Sequence, residues 1–426
     1  MPRGVFKGHL DFKRYASNLS ELTANLTARK IIGVDVNLLE RAFHDVQRLR
    51  YELGLLNKEK NILTKNAKQG PFFFVDKEAG RRAREEADRK AAELSAAEET
   101  LSDVTLRCPN WTDPQAPRGP EAVEVRTFNE KPTYPFPPLP HDELLEKLGL
   151  VDFESGRKAA GARGYFLKGS AVALHHAMIS HAIRVAESHG FQPCLAPSLV
   201  RKECAEGCGF TPRDTDVRTR DMYDVDEEHC LSATAEIPLA AAHSMSQLSV
   251  SSLPLRVCGV SQCFRPEAGN SGRHARGLYR VHEFSKVELF VVCHPEESAS
   301  MLESLVNVQK CILQPLGLHC RVLDMPPCEL GAAAARKYDI EAFWPARAEP
   351  WGELTSASNC TDFQARRLNV KYCVKDGLHF AHTLNATAMA LPRTLAALVE
   401  HHQCADGNVR VPEVLVPLMG GRTFLK

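Results

Sequence analysis

Leu39, Ala42, Val46, Leu49, Leu53, Leu56 and Leu63 recur at alternating steps of three and four, with Lys60 at the one seam position between the last two. That spacing predicts a helix carrying a heptad stripe. Gly70 and Pro71 interrupt it, and Ala83, Ala87, Leu94, Ala97, Leu101 and Val104 then resume it with small residues that let two backbones approach. Two stripes joined by a breaker predict an antiparallel coiled-coil helical hairpin over residues 35–108. Its first helix, about 25 residues long, would span roughly 35 to 40 Å, too far to be buried against an ordinary domain.

Beyond the hairpin the pattern changes twice. Residues 109–140 hold nine of the 26 prolines, which suit neither a helix nor an interior strand and so predict a linker. From residue 141 onward amphipathic stretches such as Leu174 to Ser188 alternate with β-rich apolar runs, "LRVCGV", "KVELFVV" and "CRVLDM". Strand-like neighbours joined by loops predict an α+β domain with a largely antiparallel sheet. The organisation expected is an N-terminal extension (1–34), a helical-hairpin arm (35–108), a Pro-rich linker (109–140) and an α+β domain (141–426).

Composition narrows the partners. Lys plus Arg and Asp plus Glu both total 53, so any nucleic acid or membrane must be met by a local patch. One such patch is the distal hairpin, where Lys58, Lys60, Lys65, Lys68, Lys77, Arg81, Arg82 and Arg84 face only Glu59, Asp76 and Glu78. Two readings stay open, an RNA-backbone contact and a solvated helix face that keeps a coiled coil soluble. No apolar run approaches the ~18 to 20 residues of a membrane span, so no membrane partner is expected. The 14 cysteines include no C-x-x-C pair, and His379 and His382 have no third ligand nearby, so no zinc is expected. The first thirty residues are basic with several Ser and Thr, a composition compatible with an organellar transit peptide or with an ordinary basic arm.

Candidate chemistry gathers in "CFRPEAGNSGRHARGLYRVHEFSKVELF". An apolar strand carrying Arg265 and Glu267 on one face predicts a long loop after it and a second strand starting at Gly277. On the second strand Arg280, His282, Phe284, Lys286 and Glu288 would share a face, alternating with Val281 and Val287. Arginines, an aromatic platform and carboxylates in one cleft suit a polyanion with a flat base on one side and an ammonium on the other. A nucleotide beside an amino acid fits that description.

These residues resemble the second signature motif of class II aminoacyl-tRNA synthetases; "HGFQPCLAPSLV", with Pro197, resembles the first motif, and "LNATAMALPRTLAALVE", with Arg393, the third. The chain is similar to seryl-tRNA synthetases over nearly its whole length, through "TAEIPL", "GELTSASNCTDFQARR" and the hairpin, and among them to the animal mitochondrial form. The resemblance implies a class II antiparallel-sheet catalytic domain, a homodimer, and ligation of L-serine to serine tRNA through a seryl-adenylate, in the mitochondrial matrix. The alternative is a catalytically inactive paralogue that binds RNA or protein.

It also implies roles. Arg265 would hold the α-phosphate and the serine carboxylate, and with Arg393 would be catalytic. Glu267, Arg280, Phe284, Glu353, Thr355, Ser356 and Arg393 would bind ATP, with Glu353 and Ser356 also holding Mg²⁺. Thr234, Glu236, Glu288 and Thr387 would receive serine, and Lys58, Lys60, Lys65 and Lys68 would face tRNA. Ala386, Ala388 and Pro392 stand where the third motif usually carries glycines, and their added bulk would narrow the space under the adenine.

Overall fold

The computed structural model describes residues 9–67, 77–210, 222–267 and 277–425; Lys68, His274 and Ala275 lie outside them. Two compact units make up the chain, Leu10–Pro109 and the residues from Asn110 onward, to which His9 is joined. Among the described residues no helix is long and apolar enough to cross a membrane.

The first unit is helical: α1 (Phe12–Ser17), α2 (Leu19–Ala28), α3 (Val36–Ala67) and α4 (Lys77–Leu106). Helices α3 and α4 pack on each other, burying Leu39, Ala42, Val46 and Leu49 of the first and Ala87, Leu101 and Val104 of the second. Toward the distal end the seam opens, and Leu53, Leu56 and Leu63 are only partly covered. Arg50 pairs with Glu98 at 2.7 Å and Glu52 with Lys90 at 2.9 Å, so the chain direction reverses between the helices. With 32 residues, α3 is longer than its stripe suggested and runs about 48 Å at 1.5 Å per residue. Residues 9–34, expected as an extension, instead form α1 and α2 and contribute Tyr15, Leu22 and Leu26 to this unit's core.

The second unit is built on one eight-stranded sheet: β1 (Val123–Phe128), β2 (Gln192–Leu195), β3 (Leu255–Phe264), β4 (Glu283–Cys293), β5 (Cys320–Asp324), β6 (Arg336–Phe343), β7 (Trp351–Thr361) and β8 (His382–Ala390). Their order is β1-β5-β6-β7-β8-β4-β3-β2, and every neighbouring pair is antiparallel except β2 with β3. The Pro-rich stretch expected as a linker is therefore part of this unit. Between its two proline clusters the run "VEVRTF" is free to extend, and it takes an edge position, where the flanking prolines cost no ladder bonds.

Helices cover the two faces of the sheet unequally. Against one face lie α6 (Ser170–Ser188), α8 (Ser298–Leu313) and α10 (Leu391–His401), closing a core that takes Val287, Leu289 and Val291 from β4 and Tyr338 and Ile340 from β6. A second cluster covers only the far end of the other face, where α7 (Glu236–Ala241) and α9 (Phe363–Leu368) pack on Phe290 and Val292. The rest of that face stays open as a cleft. Short α5 (His141–Lys147) packs against α10.

Candidate active site

The open face holds a cavity of about 720 Å³, continuous through shared walls with a smaller one of about 70 Å³. Central β4 supplies the floor. Its odd positions Val287, Leu289 and Val291 enter the core, so the period of two turns Phe284, Lys286 and Glu288 toward the cleft. Lys286 and Glu288 are both buried and form an ion pair, and the Lys286 ammonium also donates to Thr234 Oγ1 at 2.9 Å.

Glu236, at the start of α7, closes the far end. Its Oε1 accepts from Gln364 Nε2 at 2.5 Å and from Asn385 Nδ2 at 2.7 Å, and Gln364 in turn accepts from the Thr383 hydroxyl at 2.7 Å. Burial, and then the neighbouring Glu288 carboxylate, push Glu236 up to about 7 despite Lys286, Gln364 and Arg265. Thr234, Glu236, Glu288 and Thr387 thus line the same cavity, with the Lys286 ammonium among their oxygens.

The other end is cationic. Arg265 extends from the end of β3, donates through Nε to the Ala233 carbonyl at 3.2 Å and lies 5.3 Å over the Phe284 ring. Among the described residues it pairs with no carboxylate. By contrast Arg280 meets Glu267 at 2.8 Å, and Arg393 meets Glu353 at 3.2 Å while donating to the Tyr279 carbonyl at 3.2 Å. Glu353 keeps 42 % of its side-chain surface exposed. Burial works against its charge, but Arg393, Lys337 and Arg265 outweigh it and hold the carboxyl well below its usual range.

Two bulges set which residues reach the cleft. On β7, Thr355 pairs with Ile340 but the next pair is Glu353 with Glu341, so Leu354 is an extra residue. Glu353 and Ser356, three apart and so on opposite faces of a regular strand, both line the cavity. On β8 the extra residue is Ala388, between the pairs Thr387–Glu288 and Met389–Val287. Asn385 and Thr387 face the cleft before the bulge and Ala390 lines it after.

Several expectations are corrected by this geometry. Thr355 lines neither cavity: it is 1 % exposed, with Oγ1 buried and lacking a hydrogen-bond partner among the described residues. Ala386 and Ala388 are packed in the core behind the sheet, so their methyls take no room under a base; Pro392 does line the smaller cavity, as the second residue of α10. Glu267 lies beyond β3, which ends at Phe264, and has a left-handed φ of 49°. The second strand begins at Glu283, not Gly277; Arg280 and His282 belong to the turn before it. Lys58 and Lys65 are exposed and Lys60 partly so, on α3 of the helical unit.

The remaining candidate residues, Thr234, Glu236, Arg265, Glu267, Arg280, Phe284, Glu288, Glu353, Ser356, Thr387 and Arg393, all line the joined cavities. Sequence reasoning assigned no role to Lys286, Asn385, Gln364 or Arg163, the last 3.6 Å from Glu267. Asn385 was within reach of the period of two from Thr387. Gln364 lies within the quoted run "GELTSASNCTDFQARR", but its partner Glu236 is 128 residues away; Arg163 comes from a distant stretch and carries no local signal.

A family model described as tRNA synthetase class II core domain (G, H, P, S and T) matches residues 219–402. A serine--tRNA ligase of Treponema denticola is 40% identical over 422 residues, covering 96% of this chain and 99% of that protein. A mitochondrial serine--tRNA ligase of mouse is 37% identical over 435 residues, covering 97% of this chain and 83% of that one. Among solved structures, seryl-tRNA synthetase from Pyrococcus horikoshii complexed with ATP superposes with a TM-score of 0.88 at 32% identity, covering 98% of this chain and 99% of that one.

Proposed function

The chain belongs to the seryl-tRNA synthetases, and from that premise we propose that it charges serine tRNA in mitochondria, using the cleft residues above in defined roles. It is a class II serine--tRNA ligase. In the first step a serine carboxylate oxygen attacks the α-phosphorus of ATP, forming the mixed anhydride and releasing pyrophosphate. A terminal ribose hydroxyl of the tRNA then attacks the seryl carbonyl, and AMP leaves. The carboxylate is already ionised, so the first step demands no general base.

What supports the roles is that one cavity carries both an ammonium-and-hydroxyl end and a phosphate end, with Arg265 between them. Arg265 holds the α-phosphate and the serine carboxylate together, countering the charge that builds during in-line attack. Phe284 stacks on the adenine and Glu267 accepts from its amino group. Arg280 and Arg393 clamp the outer phosphates, exchanging their present carboxylate partners for phosphate oxygens. Glu288, Thr234 and Glu236 receive the ammonium; Thr387 meets the serine hydroxyl, and an amino acid lacking that hydroxyl leaves those groups unmatched.

The donor set also fits Mg²⁺. Glu353 and Ser356 offer hard oxygens from one face, and Glu353 is held ionised. Bound there with ATP, the ion supplies compensation for phosphate charge. Residues 35–108 form the tRNA-binding arm. Strand β2 lies at the sheet edge with Leu195 87% exposed, and this edge is the homodimer contact; a monomer by analytical ultracentrifugation at micromolar concentration would remove that part of the proposal. Mitochondrial residence is checked by imaging a full-chain fluorescent fusion, and a diffuse cytosolic signal would count against it.

The deciding experiment is exchange of labelled pyrophosphate into ATP without tRNA, with serine, alanine and threonine compared. Exchange with serine alone is expected. Its absence in folded protein would favour the non-catalytic alternative.

A further inference from the structure

The turn Gly277–Arg280, which leads into β4 and carries one proposed phosphate clamp, is held from behind by a buried histidine. His141 at the start of α5 is 2% exposed, and Glu400 in α10 is 1% exposed. Glu400 Oε1 lies 2.9 Å from His141 Nδ1 and accepts the His141 backbone N–H at 3.0 Å. Across the ring, the Leu278 backbone N–H donates to Nε2 at 3.1 Å. A backbone amide can only donate, so Nε2 is the bare nitrogen and the proton sits on Nδ1, directed at the carboxylate. The ring is therefore neutral, with its tautomer fixed from both sides.

The fit is close. Gly277 has a left-handed φ of 63°, and a Cβ there would run into His141 Nε2. Two residues along, Tyr279 gives its carbonyl to Arg393 and lies edge-on to Trp344 at 5.3 Å, with the Arg347 guanidinium 4.3 Å and the Arg393 guanidinium 4.9 Å from its ring centre. Arg393 and Glu400 are seven residues apart on α10, two turns and so one face. One helix thus grips the same turn twice, at Tyr279 directly and at Leu278 through His141.

We propose that His141, oriented by Glu400, is a positioning residue for adenylate formation: by holding the Leu278 amide it sets the turn that carries Arg280 and whose Tyr279 carbonyl braces Arg393 on α10, so that both guanidinium groups are presented to ATP. This rests on the ATP-binding reading above, so the wild-type exchange is measured first, and its failure would remove both. His141→Asn keeps a donor near Nδ1 but has no acceptor at Nε2, whereas His141→Gln places an amide oxygen near the Nε2 position. With serine-dependent exchange as readout, His141→Asn is expected to raise KM for ATP about tenfold or more while KM for serine moves less than about twofold, the size of one lost buried hydrogen bond. His141→Gln is expected to recover ATP KM to within about threefold of wild type. An unchanged ATP KM in His141→Asn, or equal rises in both KM values that His141→Gln does not rescue, would overturn the inference with the ligase reading intact. If His141→Asn does not fold, Glu400→Gln carries the test, with the same ATP-selective rise expected and a non-selective one overturning it.

Discussion

Glu236 has to stay compatible with a buried, carboxylate-rich pocket and still receive a cation. With a pKa of about 7 in the folded protein against an ordinary 4.5, its folded-state value is raised. The sign follows: its contribution to stability is fully present below about pH 4.5 and is lost as pH rises through about 7. Glu236→Gln removes that loss. It should raise the melting temperature at pH 8 by about a few degrees relative to wild type and change it little at pH 5, while serine KM rises; thermal unfolding at the two pH values decides it. A larger gain at pH 5 than at pH 8 would contradict the assignment. Lys286 and Arg265 are the cations already near Glu236, and they do not offset its burial and the Glu288 carboxylate.

At the scale of elements, strand register decides the chemistry. Phe284, Lys286 and Glu288 were legible because β4 keeps a strict period of two. Glu353 and Ser356 were not legible as a pair, since three residues of regular strand put them on opposite faces; only the likeness to a known family joined them, and Leu354 supplies the physical reason. The same likeness wrongly brought in Thr355, which the bulge turns away. Gln364, inside the run that carried the likeness, was given no role because its partner Glu236 is 128 residues distant. The register makes a sharp contrast: Ser356→Ala should raise ATP KM about tenfold or more, from one lost oxygen contact, while Thr355→Val leaves it within about twofold. Thr355→Val also removes a buried hydroxyl that has no partner among the described residues, so stability should hold or rise by about 1 kcal/mol in denaturant unfolding.

For the whole molecule, there are two compact units, one helical and one built on the eight-stranded sheet, and the proposed division of work follows them. The heptad stripe announced the arm, yet α1 and α2 were hidden, since helices of 6 and 10 residues show too few turns for a periodic signal. Likewise β1 was masked by the prolines on either side of it. Reversing charge at Lys58, Lys60 and Lys65 should cut tRNA charging about tenfold or more at moderate salt while leaving pyrophosphate exchange unchanged, because phosphate contacts dominate such affinities. Equal loss of both activities would end the proposed division of labour.

The bulge in β8 bears on how an inhibitor could tell this protein from a relative. Of the three departures in the third motif, only Pro392 lines a cavity, and Ala386 and Ala388 lie behind the sheet in the hydrophobic core. An adenosine-site compound cannot sense them directly. If the smaller cavity holds the base as proposed, selectivity comes instead from residues that line it, Ala390 and Pro392 beside Arg393. A medicinal chemist aligning motifs would choose the wrong two positions, and compounds grown toward them would meet β-strand backbone.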